Sequence, residues 1–352
     1  MTDFAKRLIS WYLQNKRDLP WRETVDPYKI WLSEIMLQQT RVAQGMPYYF
    51  AFTEAFPTVF DLAKADEEQV LKLWQGLGYY SRARNLHATA KIVAGEHKGN
   101  FPDTYRDLLT LKGVGDYTAA AIASFSYNEA VPVVDGNVFR VLSRYFDVET
   151  DIASPKAKKE FTALAYELLP KDNPAIFNQA IMEFGALQCV PKSPNCAICV
   201  MNDSCLALQK GKVDKLPVKF KKQKITNRYF NYLVYKDEIG KTVLNKREGK
   251  GIWQNLYEFP LIETDAPADL AMVSDAVSNE ILSLSRINSV PIVHKLSHQH
   301  LSITFWQADV KGKLEHGISL DEMAKFPVPI VLHNFMERYF GDRDLFSDAE
   351  LR

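Results

Sequence analysis

Leu111-Lys-Gly-Val-Gly-Asp-Tyr-Thr-Ala119 joins two helical patterns through a turn that contains two glycines. Gly113 and Gly115 permit a tight turn with exposed amides, and small residues after it favour a second helix. Such a helix-hairpin-helix forms an anion site suited to a DNA phosphate, and it binds the backbone without reading bases. A Gly-Val-Gly turn alone is weak evidence, because any turn between helices can use glycines. Its place between helical runs and ahead of a cysteine segment strengthens the interpretation.

All four cysteines of the chain lie in one segment with the spacing C-x6-C-x2-C-x5-C, at Cys189, Cys196, Cys199 and Cys205. Soft thiolate ligands select zinc or an iron–sulfur cluster. Tetrahedral zinc sites more often pair two short C-x2-C knuckles, and this segment has only one. The spacing therefore favours a [4Fe–4S] cluster. Zinc and structural disulfides or inert thiols are the alternatives.

The length of 352 residues suggests two domains, at roughly 150 residues per domain. The start, Met1 to Arg7, has no apolar signal-peptide core, and no apolar run reaches the roughly 18 residues of a membrane helix. Clustered cysteines without a secretion signal are typical of a reducing cytosol. The formal net charge is zero, so the overall charge gives no indication of a nucleic-acid partner.

The pattern along the chain changes once. Residues 1–209 are predicted to form a mainly α domain, because apolar residues recur at helical spacing, as at Phe4, Leu8 and Trp11. Residues 210–228 form a basic linker, which is either a solvated tether or a contact for the nucleic-acid backbone. Residues 229–352 are predicted to be α+β. The expected elements are strands at 229–235, 242–245 and 302–310, a turn at 237–240 and a helix at 268–284.

Two carboxyl groups stand out. Glu34 lies in the apolar helical stretch Trp31 to Leu37, where burial raises the pKa of a carboxyl and suits it to general acid catalysis. An average helical glutamate, by contrast, is solvated. Asp135 follows an apolar run and precedes a helical one, so it either caps a helix or contributes to a site, or does both.

These segments, with Trp74 to Arg84 and the cysteine loop, resemble the endonuclease III superfamily of base-excision DNA glycosylases, and within it the adenine DNA glycosylases of the MutY type. The resemblance covers essentially the whole chain. It implies a helix-hairpin-helix glycosylase domain with a [4Fe–4S] loop held by the four cysteines. Bifunctional members carry a lysine nucleophile two residues after the second hairpin glycine. Tyr117 occupies that position, so the resemblance implies a monofunctional, adenine-removing enzyme.

The resemblance also implies roles for individual residues. Glu34 matches the acid that protonates adenine, Asp135 matches the carboxylate that stabilises or transiently bonds the sugar cation, and Tyr117 and Asn137 match residues that order the site. The positions near the extruded base are Arg22 and Gln179, and those that wedge into the duplex are Gln39, Thr40, Leu77 and Tyr79. The expected partner is double-stranded DNA with an A·8-oxoguanine or A·G mispair. We expect a monomer, without a membrane partner, in the bacterial cytosol or nucleoid.

The C-terminal segment Gly251 to Pro260 is similar to the corresponding stretch of a Nudix-like domain. No R-E-x-x-E-E cluster follows it, so this domain is expected to recognise rather than hydrolyse. Ser297 and His298 match a loop that reads 8-oxoguanine, although Leu296 stands where the family usually has phenylalanine. Without the resemblance, His294, His298 and His300 are ordinary surface residues of a hairpin.

Two rival functions share some of these motifs. A bifunctional lyase acting on oxidised pyrimidines is disfavoured by Tyr117 and by the C-terminal domain. A non-catalytic iron–sulfur module that binds DNA would need neither Glu34 nor Asp135.

Overall fold

The computed structural model describes residues 1–220, 225–277 and 281–341. The chain divides into two compact units. The first is Met1–Lys64 with Asn85–Lys221, and the second is Ala65–Arg84 with Lys222–Arg352. No helix in these described ranges is both long and apolar enough to cross a membrane. The domain limits 1–209, 210–228 and 229–352 remain predictions.

The helices are α1 (Asp3–Asn15), α2 (Pro27–Leu37), α3 (Val42–Ala55), α4 (Val59–Lys64), α5 (Glu67–Leu73), α6 (Ser81–Gly95), α7 (Tyr105–Leu108), α8 (Asp116–Tyr127), α9 (Gly136–Phe146), α10 (Pro155–Leu168), α11 (Pro174–Leu187), α12 (Leu206–Gln209), α13 (Leu270–Ala276), α14 (Leu320–Met323) and α15 (Ile330–Gly341). The strands are β1 (Thr226–Lys236), β2 (Asn245–Lys246), β3 (Tyr257–Glu258), β4 (Leu261–Thr264), β5 (Ile281–Arg286), β6 (Ile292–Lys295) and β7 (Gln299–Val310). All of these strands belong to the second unit.

The first unit is a helical domain, and its local sequence explains where the helices begin. Side chains at the N-caps accept hydrogen bonds from free backbone amides, as Thr2 does for α1 and Asp26 for α2. Buried apolar residues of α1, α9, α10 and α11 form one core, with Leu8, Phe161 and Phe177 fully buried. Burial of these apolar faces stabilises helices too short to persist alone in water.

The second unit contains a mixed sheet of order β4-β1-β7-β5, in which β6 also pairs with β7. β1 and β7 run parallel with Tyr229 opposite Ser302, and the other pairs are antiparallel. Tyr232 of β1 stacks on Phe305 of β7 with ring centroids 5.6 Å apart. The predicted α+β class of the C-terminal part is confirmed.

The structure corrects two of the predicted elements. Thr242 makes only an isolated bridge with Ile318, and strand β2 begins at Asn245. The helix predicted over 268–284 ends at Ala276, residues 278–280 lie outside the described residues, and β5 begins at Ile281. Tertiary pairing with β7 overrides the helical pattern there, as expected for alternating residues next to a sheet.

The described part of the basic linker is tied to the first unit. Lys210 and Lys212 form ion pairs with Asp147 at 2.7 and 3.0 Å. The Arg144 Nε donates to the Leu216 carbonyl at 3.0 Å. These lysines already have acidic partners, which weakens the interpretation of this stretch as a free basic patch. Residues 221–224 lie outside the described residues.

Candidate active site

Glu34 and Asp135 line the same cavity of the first unit, together with Arg22, Tyr117 and Gln179. Glu34 lies on α2 and Asp135 directly precedes α9. Folding therefore brings together the two carboxyls that the sequence singled out, and it places the predicted base-contacting residues on the same walls.

Glu34 is a buried acid that accepts a hydrogen bond. It is 6% exposed, and the Tyr117 hydroxyl donates to its Oε2 at 2.7 Å. Burial raises the pKa of Glu34 to about 7; the charge of Asp135 adds to the rise, while the Tyr117 hydrogen bond and Arg22 oppose it. A carboxyl with this pKa is about half protonated at neutral pH, which is the condition for general acid catalysis.

Asp135 caps α9 and also lines the cavity. Its Oδ1 accepts from the backbone amides of Asn137 and Val138 at 2.9 and 2.8 Å. Its Oδ2 accepts from the Asn137 side-chain amide at 2.7 Å. Burial raises the pKa of Asp135, and these hydrogen bonds oppose the rise because they favour the charged form.

The hairpin before Tyr117 depends on one glycine more than on the other. Gly113 has φ +76°, and a Cβ there would lie 2.8 Å from the Asn85 Cβ. Gly115 has φ −93°, and a Cβ there would meet nothing within 4 Å. The backbone conformation thus requires glycine at 113. At 115 the glycine leaves the start of α8 sterically open.

A buried carboxylate organises the predicted base pocket. Glu183 is 1% exposed and accepts from both Arg17 and Arg22, with shortest distances of 2.6 and 2.7 Å. These contacts offset the cost of burial and lower the pKa of Glu183 to about 2. One turn earlier on α11, Gln179 Oε1 accepts from the Tyr12 hydroxyl at 2.5 Å. Sequence reasoning missed Arg17 and Glu183, although an acid within the apolar run of α11 is the same signal that marked Glu34.

Arg140, a residue with no role predicted from the sequence, links the site to the cysteine loop. Its Nη2 donates to Asn137 Oδ1 at 2.8 Å and to the Gly185 carbonyl at 2.6 Å. Its Nε donates to the Cys189 carbonyl at 2.7 Å. One turn later, Arg144 donates to Cys189 Sγ at 3.4 Å. Two arginines on one face of α9 therefore hold the start of this loop against the helix that Asp135 caps.

The four cysteines line one cavity, whose other walls include Phe4, Val141, Arg144 and Met201. Within the described residues, no three His, Cys, Asp or Glu side chains are arranged as ligands of a single metal ion. The donor set nevertheless fits an iron–sulfur cluster, because four soft thiols surround one largely apolar space and the Arg144 guanidinium lies beside Cys189 Sγ.

The other predicted contacts fall in both units. In the first, Gln39 has φ +56° at the end of α2, and Gln39 and Thr40 each line a cavity that Glu34 also lines. In the second, Tyr79 is 44% exposed, whereas Leu77 is only 4% exposed and faces the protein interior. A wedging role for Leu77 would require the turn between α5 and α6 to open so that its side chain could leave the interior.

Ser297 and His298 are exposed at the turn between β6 and β7. The backbone amide of Leu296 donates to the Gln299 carbonyl at 2.8 Å, which closes that turn. The Ser297 hydroxyl hydrogen-bonds to the Tyr79 hydroxyl. The second unit thus brings together Tyr79 and Ser297, to which the resemblance gives separate roles in contacting the duplex and reading the lesion.

Comparisons with known proteins match a family model to each of two parts of the chain. Residues 32–170 match the model of the HhH-GPD superfamily of base excision DNA repair proteins, and residues 231–338 match that of the NUDIX domain. A solved thermostable thymine-DNA glycosylase is 29% identical with a TM-score of 0.54; the match covers 59% of this chain and 95% of that one.

Curated relatives match over most of the chain. The adenine DNA glycosylase of Buchnera aphidicola subsp. Schizaphis graminum is 37% identical over 264 residues, which cover 74% of this chain and 75% of that protein. The adenine DNA glycosylase of Buchnera aphidicola subsp. Acyrthosiphon pisum is 32% identical over 351 residues, or 96% of this chain and 99% of that protein. The chain therefore belongs to the adenine DNA glycosylase family.

Proposed function

We propose that this enzyme hydrolyses the N-glycosidic bond of adenine paired with 8-oxoguanine or guanine in duplex DNA. The observation that carries the proposal is the buried Glu34 carboxyl, with a pKa of about 7, in the cavity that Asp135 also lines. An acid and a carboxylate on one cavity suit a reaction with an oxocarbenium-like transition state. The relatives named adenine DNA glycosylase support adenine as the base.

Glu34 supplies the proton in this reaction. Because the Tyr117 hydroxyl occupies Oε2, Oε1 is the oxygen left to deliver a proton to a ring nitrogen of the extruded adenine. The bond between the sugar C1′ and N9 then breaks, and its electron pair moves to the base. Protonation makes the departing adenine neutral, which lowers the barrier to departure.

Asp135 stabilises the sugar cation that remains. Its carboxylate is held by Asn137 and Val138, so it is oriented before the charge develops. A water then adds its oxygen to C1′, and its proton passes to the Glu34 carboxylate, which restores the acid. Tyr117 has no amine to attack the sugar, so the enzyme is proposed to be monofunctional.

The base pocket is built to present hydrogen-bond donors. The Tyr12 hydroxyl occupies Gln179 Oε1, so the Gln179 amide nitrogen is oriented to donate. Glu183 holds the Arg22 guanidinium at the same cavity. Ring nitrogens of adenine are acceptors, so Arg22 and Gln179 are proposed to hold the extruded base by its ring.

We propose that Cys189, Cys196, Cys199 and Cys205 hold a [4Fe–4S] cluster. The cluster would fix the loop that Arg140 and Arg144 join to α9. Burial raises the pKa of Cys199 to about 11, so this thiol would have to lose a proton to serve as a ligand of the cluster. Anaerobically purified protein should contain iron and absorb broadly in the visible range. About one zinc and no iron per chain would refute the assignment.

DNA contacts are proposed in both units. The hairpin at Gly113 and Gly115 contacts the DNA backbone, and Gln39 and Thr40 contact the duplex beside the lesion. Tyr79, Ser297 and His298 contact 8-oxoguanine, a role supported by their exposure in one unit. The monomeric state and the cytosolic location remain predictions.

An excision assay tests the proposed function. The full-length enzyme is incubated with duplexes that contain A·8-oxoguanine, A·G or A·T, and abasic sites are then cleaved with alkali. We expect cleavage of the adenine strand in the first two duplexes, and only after alkali. Strand cleavage without alkali would favour the lyase, and DNA binding without excision would favour the non-catalytic module.

A further inference from the structure

Residues 65–84 precede most of the helical domain in sequence, yet they belong to the second unit. Their main anchor is Glu68, whose Oε1 accepts from Lys246 Nζ and from the Tyr257 hydroxyl, both at 2.7 Å. Lys246 and Tyr257 are opposite each other on the β2–β3 pair. One carboxylate of α5 therefore binds both strands of this small sheet.

Further hydrogen bonds hold the rest of the segment. At the start of α5, Glu67 accepts from the Asn255 side chain at 2.5 Å. Near the start of α6, Arg84 donates to the Gln254 carbonyl at 2.9 Å. The segment is thus fastened at both of its ends to residues near β3.

The turn between α5 and α6 has side-chain contacts of its own. Gly76 and Gly78 have φ values of +97° and +78°, and Tyr79 has φ +49°. The Trp74 indole donates to the Gly78 carbonyl at 3.0 Å, and the Arg82 guanidinium lies 5.2 Å from the Trp74 ring centroid. The Trp74 contact ties Gly78, and with it the neighbouring Tyr79, to the end of α5.

Tyr79 ends this chain of contacts at the turn between β6 and β7, because its hydroxyl hydrogen-bonds to the Ser297 hydroxyl. We propose that Glu68 is a positioning residue for discrimination between 8-oxoguanine and guanine. By binding Lys246 and Tyr257, it fixes α5 and thereby holds the Tyr79 hydroxyl within hydrogen-bond distance of Ser297. This inference rests on the proposed function. It assigns to Glu68 an effect on the preference for 8-oxoguanine over guanine, not on the cleavage step.

The test is a charge reversal with rescue in the full-length holoenzyme. Single-turnover excision rates at saturating enzyme are measured on A·8-oxoguanine and A·G duplexes. Glu68→Lys places a positive charge against Lys246, and its ratio of the two rates should fall about two- to fivefold, as expected for a partly exposed pair. The rate on A·G should stay near that of the parent. The double variant Glu68→Lys with Lys246→Glu should restore the ratio.

Two further variants test whether the change in the rate ratio comes from the Glu68 contacts. Glu315→Lys makes the same charge change at an exposed glutamate of the second unit and should leave the ratio unchanged. Tyr257→Phe removes only a hydroxyl, keeps the ring beside Phe326, and should lower the ratio by a smaller factor.

An unchanged ratio in Glu68→Lys, an equal loss on both duplexes, or no rescue by the swap would overturn the positioning role. Failure of the parent to excise adenine from either duplex would instead refute the proposed function itself.

Discussion

Replacing Tyr117 by phenylalanine should move the alkaline limb of the pH–rate profile for adenine excision to higher pH. Glu34 must be protonated to act, so the rate of the parent should fall as pH rises through its pKa of about 7. With that pKa, about ten in eleven molecules carry the proton at pH 6 and about one in eleven at pH 8. The single-turnover rate should therefore fall roughly tenfold between these values.

The phenylalanine variant lacks the hydroxyl that donates to Glu34 Oε2 at 2.7 Å. That hydrogen bond favours the charged carboxylate, so its loss leaves burial and Asp135 to raise the pKa further. A hydrogen bond to a charged group is worth about 1.5–3 kcal/mol, which corresponds to a rise of roughly one or more in pKa. The midpoint of the limb should thus move from about 7 to about 8 or above.

The assay is excision of adenine from an A·8-oxoguanine duplex at saturating enzyme, from pH 5.5 to 9. The matched control is Tyr127→Phe, which removes a hydroxyl at the far end of the same helix, where it donates to the Phe101 carbonyl. The control should keep the midpoint of the parent. A limb that stays in place in Tyr117→Phe, or moves to lower pH, would refute the assignment of Glu34 as the acid.

Four other predictions follow from the site. Asp135→Asn should lower the single-turnover rate more than about a thousandfold while DNA affinity in gel shifts is kept; a near-parental rate would remove its role. Glu34→Gln should raise the melting temperature at pH 8. Because burial raises the folded-state pKa of Glu34, ionisation of this carboxyl destabilises the parent as pH rises from about 4.5 to 7, by on the order of 2–3 kcal/mol. That gain should vanish below about pH 5, and a gain that persists there would have another cause. Tyr117→Lys should gain borohydride-trapped DNA complexes, and strong trapping by the parent would favour the lyase. Glu183→Gln should lower the unfolding free energy by about 3 kcal/mol in urea titrations, because Arg17 and Arg22 lose their shared anion; an unchanged midpoint would contradict this.

Much of the first unit follows from local chemistry. The helix ends at Thr2 and Asp26 are marked by side chains that satisfy free amides, and the apolar faces of α1 and α11 are visible as a helical period. The glycine that the hairpin requires, Gly113, is also visible, although its conformation distinguishes it from Gly115 only in three dimensions. The error over residues 268–284 arose where pairing with β7 outweighed the local pattern.

The sequence by itself determined which chemistry is available: four thiols in one segment, a phenol where lyases have lysine, and two carboxyls in apolar or capping contexts. Only the tertiary structure decided how these groups behave. The pKa of Glu34 depends on burial and on Asp135, and Arg140 reaches Asn137 and Cys189 because α9 packs against the end of α11. The assignment of residues 65–84 to the second unit likewise depends on Lys246 and Tyr257, which lie far away in the chain. Dielectric environment and long-range partners arise only when distant segments pack together, so no local pattern encodes them.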